Sequence, residues 1–241
     1  MIRLVRGELL KVVTTRTVYG LTAGAAAFCS LAMVGFVLAA RRSGNNAALS
    51  PHNFAFLGSN AIFFVVALGV ITMASEGRHH TADPTFLVTP HRLRVLVAKA
   101  VAVMVVSIGI GAVAEACIFA IGLPWLAAIG VHLRFGGITW VNLACQLLGI
   151  GVAGALGVAV GGVVPNQVAA LIVAVAWLFI GEGLVGNIFL RIGRYLVLGT
   201  LSSFSGSSQV LPRWEGGLLL LFYVLALSGL SGWLLERRDV T

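Results

Sequence analysis

Six long runs of apolar residues alternate with short polar segments along the chain. The runs cover residues 17–40, 54–74, 100–123, 138–164, 168–185 and 216–235. A helix of roughly 20 apolar residues is long enough to cross the hydrocarbon core of a bilayer, and each run has about that length. The pattern therefore predicts an all-α integral membrane protein with six transmembrane helices, in which residues 17–241 form one transmembrane domain.

Composition and charge agree with this prediction. Hydrophobic residues make up 59% of the chain and charged residues 10%, whereas soluble domains average about 25% charged residues. The mean hydropathy is +1.02. The net charge of +8 comes from Lys and Arg at the ends of the apolar runs, which is typical of membrane topology signals and not of a nucleic-acid-binding patch. The chain termini and residues 76–99 carry most of these basic residues, so we predict cytoplasmic termini. The high glycine, alanine and valine content and the preference for Arg over Lys are typical of a GC-rich bacterium, so we predict a bacterial inner membrane.

Residues 1–16 precede the first apolar run and have their own periodicity. One predicted helix face carries apolar side chains, namely Ile2, Val5, Leu9, Val12 and Val13. The opposite face carries charged side chains, namely Arg3, Arg6, Glu8 and Lys11. Such a pattern predicts an amphipathic interfacial helix that lies in the membrane surface.

Two of the segments between the apolar runs have an unusual character. Residues 76–99 concentrate charged residues and histidines. Thr89 followed by Pro90 is a typical helix start, so residues 90–99 are predicted to begin the helix of the third span. Residues 186–214 are apolar but interrupted by glycine, serine and proline. We predict a cytoplasmic loop for the first segment and an outer re-entrant helical segment between the fifth and sixth spans for the second. A seventh, distorted span is the alternative for residues 186–214, and it would place the C-terminus outside.

Polar residues inside the apolar runs are candidates for a transport pathway, because they are costly in hydrocarbon. These residues are Glu115, Glu182, Asn142, Gln146 and Asn60. At a rise of about 1.5 Å per residue, all of them fall in the outer half of the membrane. They are predicted to line a substrate pathway or gate, and we expect Glu115 and Glu182 to border one cavity. The alternative is that each is satisfied separately between packed helices.

Small residues repeat every four positions along the fourth run, at Gly149, Ala153, Gly157 and Gly161. Such a series lets another helix approach the backbone closely. That helix could belong to the same chain or to a second copy.

Three motifs together resemble the type 2 permeases of ATP-binding-cassette exporters. They are E-x-R-x-x-T beginning at Glu76, L-V-T-P-x-R with a following lysine beginning at Leu87, and W-L-F-I-G-E-G-L beginning at Trp177. The amphipathic leader, the six spans and the interrupted outer segment belong to the same resemblance. His80 stands where the usual motif has glycine.

The resemblance implies a permease subunit that forms the substrate pathway with a second permease copy or paralogue, among membrane lipids. It also implies two separate ATPase subunits that bind ATP and magnesium. The residues implied to couple to the ATPase are Glu76, Arg78, Thr81, Leu87, Thr89, Pro90 and Arg92. The chain has no phosphate-binding loop motif, so we expect no enzymatic activity, cofactor or metal on this subunit.

Two other functions remain open from the sequence. The first is a proton-coupled secondary transporter that uses Glu115 and Glu182, which would have spans broken near mid-membrane. The second is a membrane scaffold that transports nothing. The transported substrate is not indicated by any motif.

Overall fold

The computed structural model describes residues 1–44, 49–78, 92–164, 166–207 and 211–237, and every regular element in these residues is helical. The helices are α1 (Ile2–Thr14), α2 (Arg16–Arg42), α3 (Pro51–Phe56), α4 (Ile62–Arg78), α5 (Arg92–Ala128), α6 (Gly137–Val163), α7 (Gln167–Ala176), α8 (Glu182–Ile188), α9 (Leu190–Gly193), α10 (Val197–Phe204) and α11 (Arg213–Arg237). A 3₁₀ turn, Leu57–Ala61, joins α3 to α4, and a π-helical turn, Trp177–Gly181, joins α7 to α8.

The prediction of six membrane-spanning helices is confirmed for the described residues. The six helices that are long and apolar enough to cross a bilayer are Arg16–Arg42, Pro51–Ser75, Arg94–Ala128, Gly137–Val163, Gln167–Ile188 and Arg213–Leu234, and we refer to them as the first to sixth spans. The end of the bundle that carries α1 is called the proximal end, and the opposite end, where α3, α6 and α11 begin, is called the distal end.

The helix of the third span begins before its apolar run, as the helix start at Thr89 and Pro90 predicts. It covers Arg92–Ala128, whereas the run covers only residues 100–123. The added first turns carry Arg92, Arg94 and Lys99. These side chains favour a helix as strongly as most apolar ones do, but they do not count toward an apolar run, so hydropathy alone places the start too late.

Between the fifth and sixth spans the chain forms short helices instead of a seventh span. After α8 come α9, with 4 residues, and α10, with 8 residues. Neither is long enough to cross the hydrocarbon core, which needs about 20 residues. The described part of this segment therefore argues against the alternative of a seventh span.

The second and fourth spans are the most buried of the six, and the first, fifth and sixth are the least buried. The buried pair makes close backbone contact. A Cβ atom built at Gly157 would lie 2.3 Å from the carbonyl oxygen of Val66, and one at Gly161 would lie 2.8 Å from that of Val70. The small-residue series of the fourth span therefore faces a helix of the same chain, which answers the question that the sequence left open.

The leader residues form a helix, α1, and its faces match the prediction in part. Val12 is buried and Arg3 and Arg6 are exposed, as predicted, whereas Glu8 is buried and Val13 is exposed. Amphipathic periodicity assumes that a carboxylate avoids burial. Here Glu8 instead meets a buried lysine of the third span, which the periodicity of α1 alone does not reveal.

We predict that Gly157→Ala destabilises the bundle by roughly 1–3 kcal/mol, the usual cost of overpacking. The added methyl group would collide with a backbone carbonyl, which has no side-chain rotation to relieve the contact. The measurement is thermal unfolding of the purified chain in detergent.

The matched control is Gly229→Ala in the sixth span, where an added Cβ meets no atom within 4 Å. Alanine there should be neutral or slightly stabilising, because it favours the helix. Equal melting temperatures for the two variants would contradict the close contact between the second and fourth spans.

Candidate functional site

The distal half of the bundle contains a buried carboxyl group on the third span. Glu115 is 3% exposed, and its Oε2 accepts a hydrogen bond from Nε2 of Gln146, on the fourth span, at 3.3 Å. The same Nε2 donates to the carbonyl oxygen of Ala55, in the second span, at 3.1 Å. The side chain of Gln146 therefore links the third span to the broken part of the second.

The niche for this carboxyl group depends on a glycine in the 3₁₀ turn of the second span. A Cβ atom at Gly58 would lie 1.7 Å from Oε2 of Glu115 and 3.1 Å from Nε2 of Gln146. Only a residue without a side chain leaves room for both groups. The other carboxyl oxygen of Glu115, Oε1, is buried and has no hydrogen-bond partner in the part of the chain that the structure describes.

One turn toward the distal end, Asn142 of the fourth span joins two further elements. Its Nδ2 lies 2.8 Å from Nδ1 of His52, in the first turn of α3. Its Oδ1 accepts a hydrogen bond from Nη2 of Arg213, at the start of α11. Asn142 and Gln146 thus line one face of the fourth span, as their spacing predicts, and both bind groups of the second span.

Glu182 lies in a different environment from Glu115. Its Oε2 accepts from the backbone N–H of Leu198 at 2.6 Å, and its Oε1 accepts from that of Val197 at 3.2 Å. These amides are the first two of α10, which lack partners within their own helix and lie at its positive end. A carboxylate from the fifth span therefore caps the helix that follows it.

Asn60 donates to the carbonyl oxygen of Leu57, within its own 3₁₀ turn, at 2.8 Å. It also lines a cavity of about 360 Å³ between the second span and α10, together with Ser59, Leu198 and Ser202. The structure thus brings Glu115, Gln146 and Asn142 together on one side, and Asn60 close to the helix that Glu182 caps. The two glutamates share no hydrogen-bond partner among the described residues.

At the proximal end lies a second buried charged group, which the sequence pattern does not predict. Glu8 of α1 and Lys99 of the third span are each 2% exposed, and Nζ of Lys99 donates to Oε2 of Glu8 at 2.6 Å. Lys11, whose side chain is 56% exposed, donates to Oε1 at 2.6 Å. The only sequence signal of this cluster is that Glu8 is the single acidic residue of the amphipathic leader.

The electrostatics of Glu8 follow from two opposed effects. Burial alone would raise the pKa of its carboxyl group, but the ammonium groups of Lys99 and Lys11 outweigh burial and hold the pKa below its usual range. A cavity of about 410 Å³ adjoins the cluster and is also lined by Thr15, Thr72 and Ser75. The cluster joins α1 to the third span at the proximal end of the bundle.

Four of the seven residues implied to couple to an ATPase lie outside the described residues, namely Thr81, Leu87, Thr89 and Pro90. Glu76 and Arg78 belong to the last turn of α4, and Arg92 begins α5.

Comparison with known proteins adds no family assignment, because the chain matches no protein-family model and no curated protein sequence.

We predict that Glu182→Ala loosens α10 while the six spans stay folded. The substitution removes the acceptor of two backbone hydrogen bonds, each worth about 1.5–3 kcal/mol when the acceptor is charged. Glu182→Gln should have a smaller effect, because one amide oxygen still accepts. The measurement is hydrogen exchange of the backbone amides in residues 197–204.

The matched control is Glu215→Gln, which removes a carboxylate near the start of the sixth span and leaves the cap of α10 intact. Its exchange in residues 197–204 should equal that of the parent chain. Unchanged exchange in Glu182→Ala would show that the cap does not hold α10.

We predict that Glu8→Gln weakens the docking of α1 by about 3–5 kcal/mol, since it removes the carboxylate partner of a buried ammonium group. Replacing both charges, in Glu8→Leu with Lys99→Met, should recover much of the loss. Lys11→Met should have little effect, because this partner is largely exposed. Limited proteolysis after residue 14 measures the docking.

Acidic pH should weaken the docking of α1, as Glu8→Gln does. Because the pKa of Glu8 is lowered by docking, its contribution is complete above the ordinary glutamate pKa of about 4.3. It is lost as the pH falls through the lowered value. The ion pair does not stabilise docking if proteolysis after residue 14 stays constant below about pH 4 and Glu8→Gln docks α1 as firmly as the parent chain does.

Proposed function

We propose that the chain is the transmembrane permease subunit of an ATP-binding-cassette exporter, driven by separate ATPase subunits and paired with a second permease copy or paralogue. The observation that carries the proposal is the element order: a leader helix docked on the bundle, six spans, and a helical excursion between the fifth and sixth spans. This is the arrangement that the resemblance implies. In the same proposal the proximal end faces the cytoplasm of a bacterial cell.

In the proposed exporter, α1 lies in the inner membrane surface. Residues 186–214, which include α9 and α10, form a segment that enters the outer leaflet and returns. Two features support these placements. The exposed face of α1 carries both apolar and basic side chains, including Ile2, Arg3 and Leu10, which suits the boundary between lipid and headgroups. Glu182 accepts hydrogen bonds from the first two amides of α10, so these two backbone groups are satisfied within the membrane.

The substrate pathway is proposed to follow the lightly buried first and fifth spans. A groove of about 580 Å³ lies between these spans and the second, and its lining is almost entirely apolar. The ring of Phe63, on the second span, stacks on that of Phe179, in the π-helical turn of the fifth, at a centroid separation of 3.8 Å. Such a surface suits the apolar part of an amphiphile more than a fully hydrated solute.

Coupling to the ATPase is proposed to enter through residues 76–92. The helices on either side of this segment are α4, which belongs to the most buried pair of spans, and α5, which the Glu8–Lys99 ion pair ties to α1. A displacement applied to the segment would therefore reach both the packed core and the leader helix.

A proton-coupled transporter is the second candidate, and one observation favours it. Glu115 has a buried carboxyl oxygen without a partner in the described residues, and it lies against a 3₁₀ break of the second span. Broken spans beside ionisable groups are typical of ion-coupled carriers.

One experiment tests the first candidate against the second. We predict that the chain co-purifies with an ATPase and that the complex hydrolyses ATP faster when substrate is added. Reversing both charges, in Glu76→Lys with Arg78→Glu, should abolish this stimulation without reducing membrane insertion, because the docking surface would no longer match its partner. The readout is phosphate release by the complex in lipid vesicles.

The matched control is Arg41→Glu with Arg42→Glu, which reverses two charges at the distal end of the first span. It should keep the stimulation. The opposite result is uptake into vesicles that needs a proton gradient but no ATP and that disappears in Glu115→Gln. It would reject the exporter in favour of the proton-coupled transporter.

A further inference from the structure

The distal ends of three spans meet at a single side chain. Asn142 of the fourth span is buried. Its amide contacts His52 at the start of the second span and Arg213 at the start of the sixth. In sequence these residues are far apart, and neither His52 nor Arg213 lies in an apolar run that would mark it as part of a polar site.

The chemistry of Arg213 determines how the amide of Asn142 is oriented. A guanidinium group has N–H donors and no acceptor, so the atom of Asn142 that faces Arg213 is the oxygen. The amide nitrogen therefore faces His52 and donates to it. The nitrogen and oxygen of the Asn142 amide have nearly the same shape. The reverse orientation is excluded because it would place the NH2 group of Asn142 against an N–H group of Arg213.

The orientation of Asn142 in turn determines the protonation of His52. Nδ1 must accept the hydrogen bond from Asn142, so it carries no proton, and the ring is the neutral tautomer with its proton on Nε2. Nε2 is buried and has no hydrogen-bond partner in the described residues. A proton added at Nδ1 would face the N–H of Asn142 and would break the only hydrogen bond that the ring makes in these residues.

The charged and titratable groups around His52 reinforce this conclusion. The sixth span contributes Arg213, a positive charge on the other side of the same amide. The fourth span, Gly137–Val163, contributes no acidic or basic side chain. The third contributes Glu115, which pairs with Gln146 one turn deeper. A histidinium ion at residue 52 would thus repel Arg213 across Asn142 and would have no carboxylate as direct partner among the described residues.

A glycine packs closely against the contact between Arg213 and Asn142. Gly206, just after α10, has φ of +76°, and a Cβ atom there would lie 2.7 Å from Nη2 of Arg213 and 3.0 Å from Oδ1 of Asn142. The turn after α10 therefore packs on the Arg213–Asn142 contact, so that separation of these residues would also release this turn.

We propose that His52, Asn142 and Arg213 form a latch that holds the distal ends of the second, fourth and sixth spans together while His52 is neutral, and that opens when His52 takes up a proton. In the orientation proposed above, it reads the pH outside the cell. The latch itself does not rest on the proposed function, because it requires only these three residues.

The test is hydrogen exchange of the full chain in lipid vesicles, in the first turns of α3, α6 and α11. Rates measured at about pH 8 and about pH 5 are corrected with unstructured peptides for the intrinsic effect of pH. The exchange of these turns should rise about fivefold in acid, which is the population change expected for the loss of one hydrogen bond. No change in the corrected rates of the parent chain would overturn the proposal.

Two variants separate the latch from other effects of acid. In His52→Gln, an amide oxygen that does not titrate replaces Nδ1 as the acceptor. In Asn142→Asp, the carboxylate accepts from Arg213 and also from His52, whether the ring is charged or has its neutral proton on Nδ1. Both variants should lose the acid response. An acid response in Asn142→Asp equal to that of the parent would overturn the proposal even if His52→Gln failed to fold.

The matched control is His132→Gln, which removes an exposed histidine from the distal connection between the third and fourth spans. It should keep the fivefold response of the parent chain. If His132→Gln removes the response and His52→Gln keeps it, the pH sensor is elsewhere and the latch is only a structural contact.

Discussion

The close contact between the second and fourth spans is the constraint on which the rest of the bundle depends. At Gly157 and Gly161 the backbone of one helix lies directly on carbonyl groups of the other, so the relative height and rotation of the two spans have little freedom. In a bilayer, helix association gains little from the hydrophobic effect and relies on such close packing. The remaining spans, which are less buried, are arranged around this pair.

The polar side chains follow from this arrangement. Gln146 and Asn142 lie on the fourth span where it meets the broken, distal part of the second, so each can reach a backbone or ring atom there. Without a fixed height between the two helices, a single amide could not satisfy partners on several spans. The three buried glutamates have separate local partners: an amide for one oxygen of Glu115, the first amides of α10 for Glu182, and two lysines for Glu8.

Much of the fold could be predicted because hydropathy counts spans well. The number of spans, the leader helix and the shared face of Asn142 and Gln146 all follow from length and periodicity. The hydrogen-bond partners could not be predicted in the same way. Glu8 meets a lysine that is distant in sequence, and its burial contradicts the amphipathic pattern of α1. The 3₁₀ turn at Leu57–Ala61 contains no proline to mark it, and the niche that Gly58 provides becomes visible only when Glu115 packs against it.

The π-helical turn Trp177–Gly181 determines the direction in which the side chains of the rest of the fifth span point. A π turn accommodates one more residue than an α turn, and one residue corresponds to a rotation of about 100° around the axis. Everything after the turn, including Glu182, therefore points in a direction that an uninterrupted α-helix from Gln167 would not give it. The span has the geometry of an ordinary α-helix that accepted a single inserted residue. Deleting one residue from the turn would restore regular hydrogen bonding and at the same time swing the carboxylate away from the first amides of α10.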